Sequence, residues 1–386
     1  FYTRTTGIWQ TVWLEAVGDC YIKEIKFTPD VPSVSVSAGF VLEGDFRGAE
    51  LSVRVSFDGR EVGRADVAGI TARTVNIAIP LSERHLWDVG EGNLYDVSVE
   101  VRRDGAVLDS AESYFGLRSV SLDGRVLRLN GRVVFGRWVL DQGFYPDGIY
   151  TAPTEDDLVK DIKLSMDAGF NGARLHEKVF EPRFLYHADR LGYMVWGEYP
   201  NWGFDLNRFD IEPFMINWRE AMERDFNHPS LVGWCPFNET WGTDHNQKAI
   251  ASVSAVYKMT KDLDPSRPVI DTSGLVHTER SDIFDVHDYE QDAKKFSAHY
   301  EKLSEGIVKD VPYADGYKGG PMFVSEYGGI GLKSDSGWSY GEAPEDADAL
   351  IRRYDELTTF LLENPDIFAF CYTQLYDIEQ EVNGLY

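Results

Sequence analysis

The hydrophobic pattern of the chain changes its period once, between residues 120 and 133, and this change constrains the fold more than any other feature. Before it, apolar and polar residues alternate, as in residues 51–57 and 97–101. Such alternation places one face of a strand against a core. Asp-Gly pairs at positions 58–59 and 104–105 fit hairpin turns between the strands. About 100 residues of this kind predict an antiparallel β-sandwich of the immunoglobulin type, and a further hairpin is expected around positions 123–124.

After about residue 133, short apolar runs alternate with segments of period 3.6. Leu158, Ile162 and Met166 would share one face of a helix that Thr154 can cap. Eight runs read as strands and cover about 240 residues, close to the roughly 250 of a closed barrel of eight parallel strands and eight helices. An open doubly wound sheet is the alternative, but no Gly-x-Gly-x-x-Gly follows a strand. The candidate strands are 133–138, 172–175, 194–196, 232–236, 269–271, 283–286, 322–325 and 368–372.

The net charge of the chain indicates which classes of partner it is not expected to bind. Among 386 residues the net charge is −26, which repels phosphate backbones and anionic lipid, so neither nucleic acid nor a membrane is an expected partner. No apolar run approaches the roughly 18 residues of a membrane-spanning helix, and we expect a cytoplasmic protein, with a homo-oligomer left open. The three cysteines are far apart and lack metal-binding or disulfide spacing, so we expect them to be reduced and buried.

Two carboxylates come directly after apolar strands of the predicted barrel. Glu239 follows the fourth strand and Glu326 the seventh, and active sites of such barrels lie at the C-terminal ends of the strands. A carboxylate at such a position is costly to desolvate unless it is paired or used in chemistry. One alone could belong to a buried salt bridge. Two on the same rim favour a carboxylate pair that cleaves glycosidic bonds.

Several segments resemble glycoside hydrolase family 2, which contains β-galactosidases, β-glucuronidases and β-mannosidases. Residues 228–239 are similar to the stretch that carries the acid/base of that family, and residues 325–328 (Ser-Glu-Tyr-Gly) to the stretch that carries its nucleophile. Residues 6–15 resemble the end of its N-terminal jelly roll. The resemblance implies three domains: a remnant of the sugar-binding jelly roll (1–17), an immunoglobulin-like sandwich (18–117) and the catalytic (β/α)8 barrel (118–386).

The resemblance also implies roles for individual residues. Glu239 would be the general acid/base and Glu326 the nucleophile of a retaining mechanism. Asn238 would bind the 2-hydroxyl of the sugar. Alternatives stay open for the other candidates, which could form a surface ion pair or pack in loops. These candidates are Arg174 beside the nucleophile, His176 as a sugar contact in Arg-x-His rather than Arg-x-x-His spacing, Tyr289 as a donor to the nucleophile, Trp241 as a stacking wall and Asp141 as a partner of a sugar hydroxyl.

The sequence departs from some members of the family in ways that bear on metal and sugar. Residues 198–203 lack the added Glu and His that some galactosidases use for magnesium, so we expect no catalytic metal and no cofactor. Strand eight lacks the tryptophan that the family often has under the sugar. A uronide-binding Asn-x-Lys is absent after Glu326. The expected activity is therefore a retaining exo-β-glycosidase for neutral β-hexosides, most of all β-galactosides. The alternatives are a β-glucuronidase or another β-glycosidase of the family, and a non-catalytic carbohydrate-binding fragment.

Overall fold

The computed structural model describes residues 2–240, 246–334 and 336–386. Its first part contains seven strands in two antiparallel sheets, with the orders β1-β2-β5 and β4-β3-β6-β7. Alternate residues of both sheets, such as Phe40, Val53 and Val99, are buried between them, which confirms the predicted sandwich. The strands are β1 (Cys20–Asp30), β2 (Ser35–Gly44), β3 (Glu50–Phe57), β4 (Arg60–Val67), β5 (Thr74–Pro80), β6 (Tyr95–Arg103) and β7 (Ala106–Phe115).

A small antiparallel sheet connects the sandwich to the second part of the chain. It contains β8 (Val120–Asp123), β9 (Val126–Leu129) and β10 (Arg132–Val133), and β8 and β9 form the predicted hairpin. Just before it, the buried side chain of Arg118 donates hydrogen bonds to the carbonyl oxygens of Pro229 at 2.8 Å and Leu231 at 2.7 Å. These bonds attach the end of the sandwich to a strand of the barrel.

The second part is a TIM barrel whose strands are all parallel. Seven strands form one sheet in the order β14-β13-β12-β11-β17-β16-β15, which confirms seven of the eight predicted strands. The first and last of them in sequence, β11 and β17, pair with each other. This pairing excludes the doubly wound alternative. The strands are β11 (Gly136–Asp141), β12 (Gly172–Leu175), β13 (Met194–Glu198), β14 (Leu231–Cys235), β15 (Phe284–Asp288), β16 (Met322–Gly328) and β17 (Ile367–Thr373).

The one remaining predicted strand, residues 269–271, is the fifth in sequence, and it is not a regular strand. It is instead joined to the β14 region by two isolated parallel bridges, from Trp234 to Val269 and from Asn238 to Ser273. The carboxylate of Asp271 accepts the backbone N–H of Thr278 at 2.5 Å and contacts Nδ1 of His277 at 2.7 Å. These bonds bind the segment to the loop that follows it. The segment still occupies the fifth position around the barrel, between β14 and β15.

Helices connect the strands and cover the barrel. Thr154 is the N-cap of the first helix, as predicted, and Asp157 accepts its backbone N–H at 3.0 Å. Cys20, Cys235 and Cys371 are free and buried, and none of the described helices is long and apolar enough to cross a membrane. The helices are α1 (Glu155–Asp167), α2 (Pro182–Leu191), α3 (Glu212–Asp225), α4 (Gln247–Leu263), α5 (Ala293–His299) and α6 (Ala347–Glu363).

Candidate active site

Glu239 is held at the C-terminal end of the β14 region in a strained backbone conformation. Its φ of 41° lies in the left-handed region, which non-glycine residues rarely adopt. Two backbone hydrogen bonds with Ser273 hold this conformation. The N–H of Glu239 donates to the carbonyl oxygen of Ser273 at 2.9 Å, and the N–H of Ser273 donates to the carbonyl oxygen of Phe237 at 2.8 Å. The irregular fifth segment therefore fixes the position of this glutamate.

Glu326 lies inside β16, and its carboxylate approaches that of Glu239. One oxygen of each carboxylate and one ring nitrogen of His287 all lie within 4.8 Å of one another. Retaining glycosidases place their two carboxyl groups about 5–5.5 Å apart, whereas inverting enzymes separate them by roughly 6.5–9.5 Å. The close approach of the oxygens is compatible with the retaining arrangement.

Three side chains surround the carboxylate of Glu326. Tyr289 donates its hydroxyl hydrogen to Oε2. On the other oxygen, Oε1, Arg174 donates from Nη1 at 3.2 Å and Nε2 of His287 lies at 3.4 Å. Donors on both oxygens fix the orientation of the carboxylate. Tyr289 therefore contacts Glu326 and is more than a packing residue.

Arg174 is fully buried and joins three elements of the barrel. Besides Glu326, its guanidinium donates to Glu198 Oε1 at 2.5 Å and to Asn238 Oδ1 at 3.0 Å. Burial alone lowers the pKa of the guanidinium, but the charges of Glu198 and Glu326 outweigh it and raise that pKa. The alternative of a surface ion pair is excluded, since the side chain has no exposed surface.

Asn238 has a free donor next to the carboxylates. Its Oδ1 accepts from Arg174, and its backbone N–H donates to Oδ1 of Asn201 at 2.6 Å. Within the described residues its Nδ2 is buried and has no hydrogen-bond partner. Buried polar groups are nearly always paired, so this amide fits the predicted contact with a substrate hydroxyl.

His176 lies beside Glu198 at the wall of the site. Its Nδ1 is 3.3 Å from Oε2 of Glu198. Burial lowers the pKa of the imidazole, but the hydrogen bond and charge of Glu198 outweigh it and raise this pKa to about 9. The ring is therefore a cation at neutral pH. It reaches the cavity despite the shortened Arg-x-His spacing.

His287 contacts both carboxylates, although it was not among the residues predicted from the sequence. Its Nδ1 lies 2.7 Å from Oε1 of Glu239. Burial raises the pKa of Glu239, but the hydrogen bond and charge of His287 outweigh it and leave this pKa below its usual value. Conversely, burial lowers the pKa of His287, but Glu326 and Glu239 together raise it. A signal was present, because His287 precedes Tyr289 by two residues and alternate residues of a strand share a face.

Among the described residues, Glu239, His287 and Glu326 form a group that could hold a metal ion. However, the two nitrogens of His287 face different carboxylates, Nδ1 toward Glu239 and Nε2 toward Glu326. The ring thus lies between the two carboxylates, hydrogen-bonded to Glu239 at 2.7 Å and 3.4 Å from Glu326.

The carboxylates open into a cavity of about 380 Å³. Much of its wall is aromatic and comes from loops at the C-terminal ends of the strands. Tyr340 stacks on Tyr289 with a centroid distance of 3.5 Å and an interplanar angle of 3°. Most of this wall was not predicted, because loop residues carry no periodic signal. Its aromatic members are Tyr2, Phe144, Tyr150, Trp202, Tyr289, Trp338 and Tyr340.

The charged lining of the cavity is predominantly acidic. Glu177, Glu239, Glu326 and Glu381 face it, and the sequence analysis missed the first and last of them. Burial raises the pKa of Glu177 to about 8. Lys178 also lines the cavity, but its Nζ donates to the backbone carbonyls of Gly143 and Tyr150, the latter at 2.9 Å.

Of the two remaining predicted contacts, one lies within the described residues. Asp141 is buried, but it is not among the residues that line the cavity in the described structure. Its Oδ1 accepts hydrogen bonds from Gly143 N–H at 2.8 Å and from the Tyr376 hydroxyl at 3.1 Å, so it orders the loop after β11. Trp241 lies outside the described residues.

Comparison with known proteins agrees with this architecture. The family model "Glycosyl hydrolases family 2" matches residues 20–118, and "Glycosyl hydrolases family 2, TIM barrel domain" matches residues 151–364. The first model covers the β-sandwich and the second covers most of the barrel. The chain belongs to glycosyl hydrolase family 2.

Similar proteins carry different substrate names. The chain is 28% identical over 301 residues to a β-galactosidase of Photobacterium profundum, covering 72% of this chain and 28% of that protein. It is 27% identical over 286 residues to a β-glucuronidase of Streptococcus agalactiae, covering 67% and 47%. The chain thus spans less than half the length of both relatives.

A solved structure shows the same fold at lower identity. The β-glucuronidase of Bifidobacterium dentium, complexed with coumarin-3-O-glucuronide, superposes with a TM-score of 0.80 at 19% identity. The superposition covers 95% of this chain and 64% of that one.

Proposed function

We propose that this chain carries the catalytic site of a retaining exo-β-glycosidase that acts on terminal neutral β-hexosides, most of all β-galactosides. The observation that carries the proposal is the approach of Glu239 and Glu326, whose oxygens lie within 4.8 Å at the rim of the barrel. Membership of glycosyl hydrolase family 2 supports the reaction class. The substrate is accordingly a carbohydrate.

In the first step, an oxygen of Glu326 attacks the anomeric carbon and forms a glycosyl ester. The bond between this carbon and the leaving oxygen breaks, and the leaving oxygen receives a proton through Glu239. In the second step, Glu239 removes a proton from water, which attacks the same carbon and releases Glu326. Each displacement inverts the anomeric centre, so the product keeps the β configuration. Asn238 Nδ2 would bind the 2-hydroxyl, where hydrogen bonds strengthen in the oxocarbenium-like transition state.

The charge of the cavity supports a neutral sugar over a uronide. Glutamates outnumber cations in its lining, although Glu177 is uncharged at neutral pH because burial raises its pKa to about 8. A C6 carboxylate would need a cation to pair with, and the cation His176 is already paired with Glu198. Lys178 donates to two backbone carbonyls and lies over aromatic rings, including Trp9 at 4.8 Å. Neither Arg137 nor Arg183, the other cations near the first two strand ends, lines the cavity in the described structure.

A β-glucuronidase remains the alternative, because relatives with that name match the chain at the same level as β-galactosidases. The test is a panel of 4-nitrophenyl glycosides: β-galactoside, β-glucoside, β-mannoside and β-glucuronide. We expect the highest kcat/KM on a neutral β-hexoside. A higher value on the glucuronide than on both the galactoside and the glucoside contradicts the sugar preference.

The same panel tests the reaction itself. Proton NMR of the first product formed should show the β anomer, and Glu326→Gln should abolish turnover. Binding of galactose without hydrolysis of any substrate in the panel would instead identify a non-catalytic carbohydrate-binding fragment.

A further inference from the structure

His287 lies between the two carboxylates, and its nitrogens face different partners. Nδ1 lies 2.7 Å from Oε1 of Glu239. Nε2 lies 3.0 Å from Oγ of Ser273 and 3.4 Å from Oε1 of Glu326. Only 6% of the side chain is exposed. The two displacement steps described above assign no role to this ring, although it contacts both carboxylates.

Ser273 determines which nitrogen carries a fixed hydrogen. Its hydroxyl donates to Oδ2 of Asp285 at 2.6 Å. Burial raises the pKa of Asp285, but the hydrogen bond and charge of His277 outweigh it and hold this pKa at about 2, so the carboxylate only accepts hydrogen bonds at neutral pH. The single hydrogen of the serine hydroxyl therefore goes to the carboxylate of Asp285 rather than to Oγ of Ser325, which lies farther away at 3.3 Å and itself donates to Asp285. Ser273 accepts a hydrogen bond from Nε2 of His287.

It follows that one mobile proton is left between Nδ1 of His287 and Oε1 of Glu239. When the proton is on the ring, His287 is an imidazolium beside a carboxylate. When it is on Glu239, the ring is a neutral imidazole with its hydrogen on Nε2. Glu326 and Asp285 attract a charge on the ring, whereas Arg174 repels it. The ring is also closely packed, since a Cβ on Gly274 would lie 2.3 Å from it.

We propose that His287 stores the proton that Glu239 delivers to the leaving oxygen and takes up the proton of the attacking water in the second step. This role rests on the proposed glycosidase function. The resting site then holds an imidazolium and two carboxylates. Because His287 acts through Glu239, it is a positioning residue that also holds a proton.

The proton balance closes over the two steps. In the first, the proton passes from Nδ1 of His287 through Glu239 to the leaving oxygen, the glycosidic bond breaks and the sugar forms an ester with Glu326. This leaves a neutral imidazole and ionised Glu239. In the second, a water proton passes through Glu239 to His287, the water oxygen bonds to the anomeric carbon, and Glu326 leaves as a carboxylate.

The charge of Glu326 would drive this exchange in the required direction. As an ester, Glu326 is neutral and no longer attracts the imidazolium, so the ring gives up its proton more readily. When hydrolysis restores the carboxylate, the attraction returns and the ring takes a proton again. The nucleophile thus controls the proton affinity of the acid/base pair.

The first test compares His287→Gln with the control His299→Gln. Glutamine can still donate a hydrogen bond to Glu239 but cannot hold the extra proton. His299 is a suitable control because its Nδ1 lies 2.8 Å from Oδ2 of Asp288 and the residue does not line the cavity in the described structure. For His287→Gln we expect a loss of kcat/KM at least 100-fold larger on phenyl than on 2,4-dinitrophenyl β-galactoside, because only the poor leaving group needs the proton. The alkaline limb of its pH profile should also move at least one unit lower.

An equal loss on both substrates, or an unchanged alkaline limb, overturns the proposal. A wild-type protein that hydrolyses no β-glycoside overturns the proposed function as well, whereas hydrolysis with an unchanged His287→Gln profile overturns this inference alone.

The second test does not depend on turnover. The ring nitrogens of His287 can be titrated by ¹⁵N NMR in the wild-type protein and in Glu326→Gln. We expect a titration midpoint above 6.5 in the wild type and a lower midpoint in the variant, since Glu326 would no longer attract the imidazolium. A midpoint that does not change on loss of the Glu326 charge contradicts the proposal.

Discussion

Nη1 of Arg174 lies 3.2 Å from Oε1 of Glu326, and both side chains are almost wholly buried. Removal of the guanidinium would leave the carboxylates of Glu326 and Glu198 without their main cation, and breaking a buried pair in this way costs about 3–5 kcal/mol. We therefore expect Arg174→Met to lower kcat at least 100-fold and to lower the melting temperature.

Arg174→Lys should keep part of the stability but little of the activity, because an ammonium cannot donate to Glu198, Glu326 and Asn238 together. Arg219→Met is the matched control, since Arg219 forms an exposed pair with Glu223 on α3. Kinetics together with thermal unfolding separate the two effects. Wild-type kcat in Arg174→Met would contradict the assigned role.

Chemical rescue should distinguish the two glutamates. Glu239→Ala lacks the acid/base, so it should keep measurable activity on 2,4-dinitrophenyl β-galactoside and form β-galactosyl azide when azide is added. Glu326→Ala lacks the nucleophile, so any rescue should yield the α-azide by a single displacement. NMR of the isolated azides gives their configuration. The same anomer from both variants is incompatible with the assigned roles.

The sequence predicted the two glutamates because each directly follows an apolar run that ends in a polar residue. It could not predict the fifth strand correctly, since the carboxylate of Asp271 bonds to the loop that follows it. It also missed Trp338 and Glu381. These residues reach the cavity through loops after β16 and β17, and their position depends on tertiary packing that no local pattern encodes.

The pair of His176 and Glu198 should make stability depend on pH. The folded pKa of His176 is raised to about 9, above the roughly 6.5 of an unfolded histidine. Its contribution is therefore fully present below pH 6.5 and is lost as pH rises through 9, with a total on the order of 3 kcal/mol.

We expect the difference in unfolding free energy between wild type and His176→Asn to shrink steadily from pH 6 to pH 9.5 in urea titrations. His187→Asn is the control, because its partner Glu155 is half exposed. A difference that stays constant over this range would show that the charge of His176 does not stabilise the fold.

The acidic lining of the cavity should disfavour uronides. Removal of one charge by Glu381→Gln should raise the ratio of kcat/KM on β-glucuronide to that on β-galactoside by about 3–10-fold, corresponding to roughly 1 kcal/mol of repulsion.

Glu177→Gln provides the matched comparison at pH 6, because burial raises the pKa of Glu177 to about 8 and the side chain is already uncharged there. Its ratio should change less than twofold. An equal rise in both variants, or none in Glu381→Gln, argues against electrostatic exclusion of uronides.

Trapping of the glycosyl-enzyme tests the central claim most directly. The protein would be incubated with 2,4-dinitrophenyl 2-deoxy-2-fluoro-β-galactoside and digested for peptide mass spectrometry. The fluorine slows both steps, and the good leaving group restores the rate of the first step alone, so the glycosyl-enzyme accumulates. A retaining mechanism through Glu326 predicts a fluorogalactosyl ester on the peptide that contains Glu326, and no label in Glu326→Gln. A label on Glu239 instead, or burst-free turnover with an α-configured first product, would contradict the account.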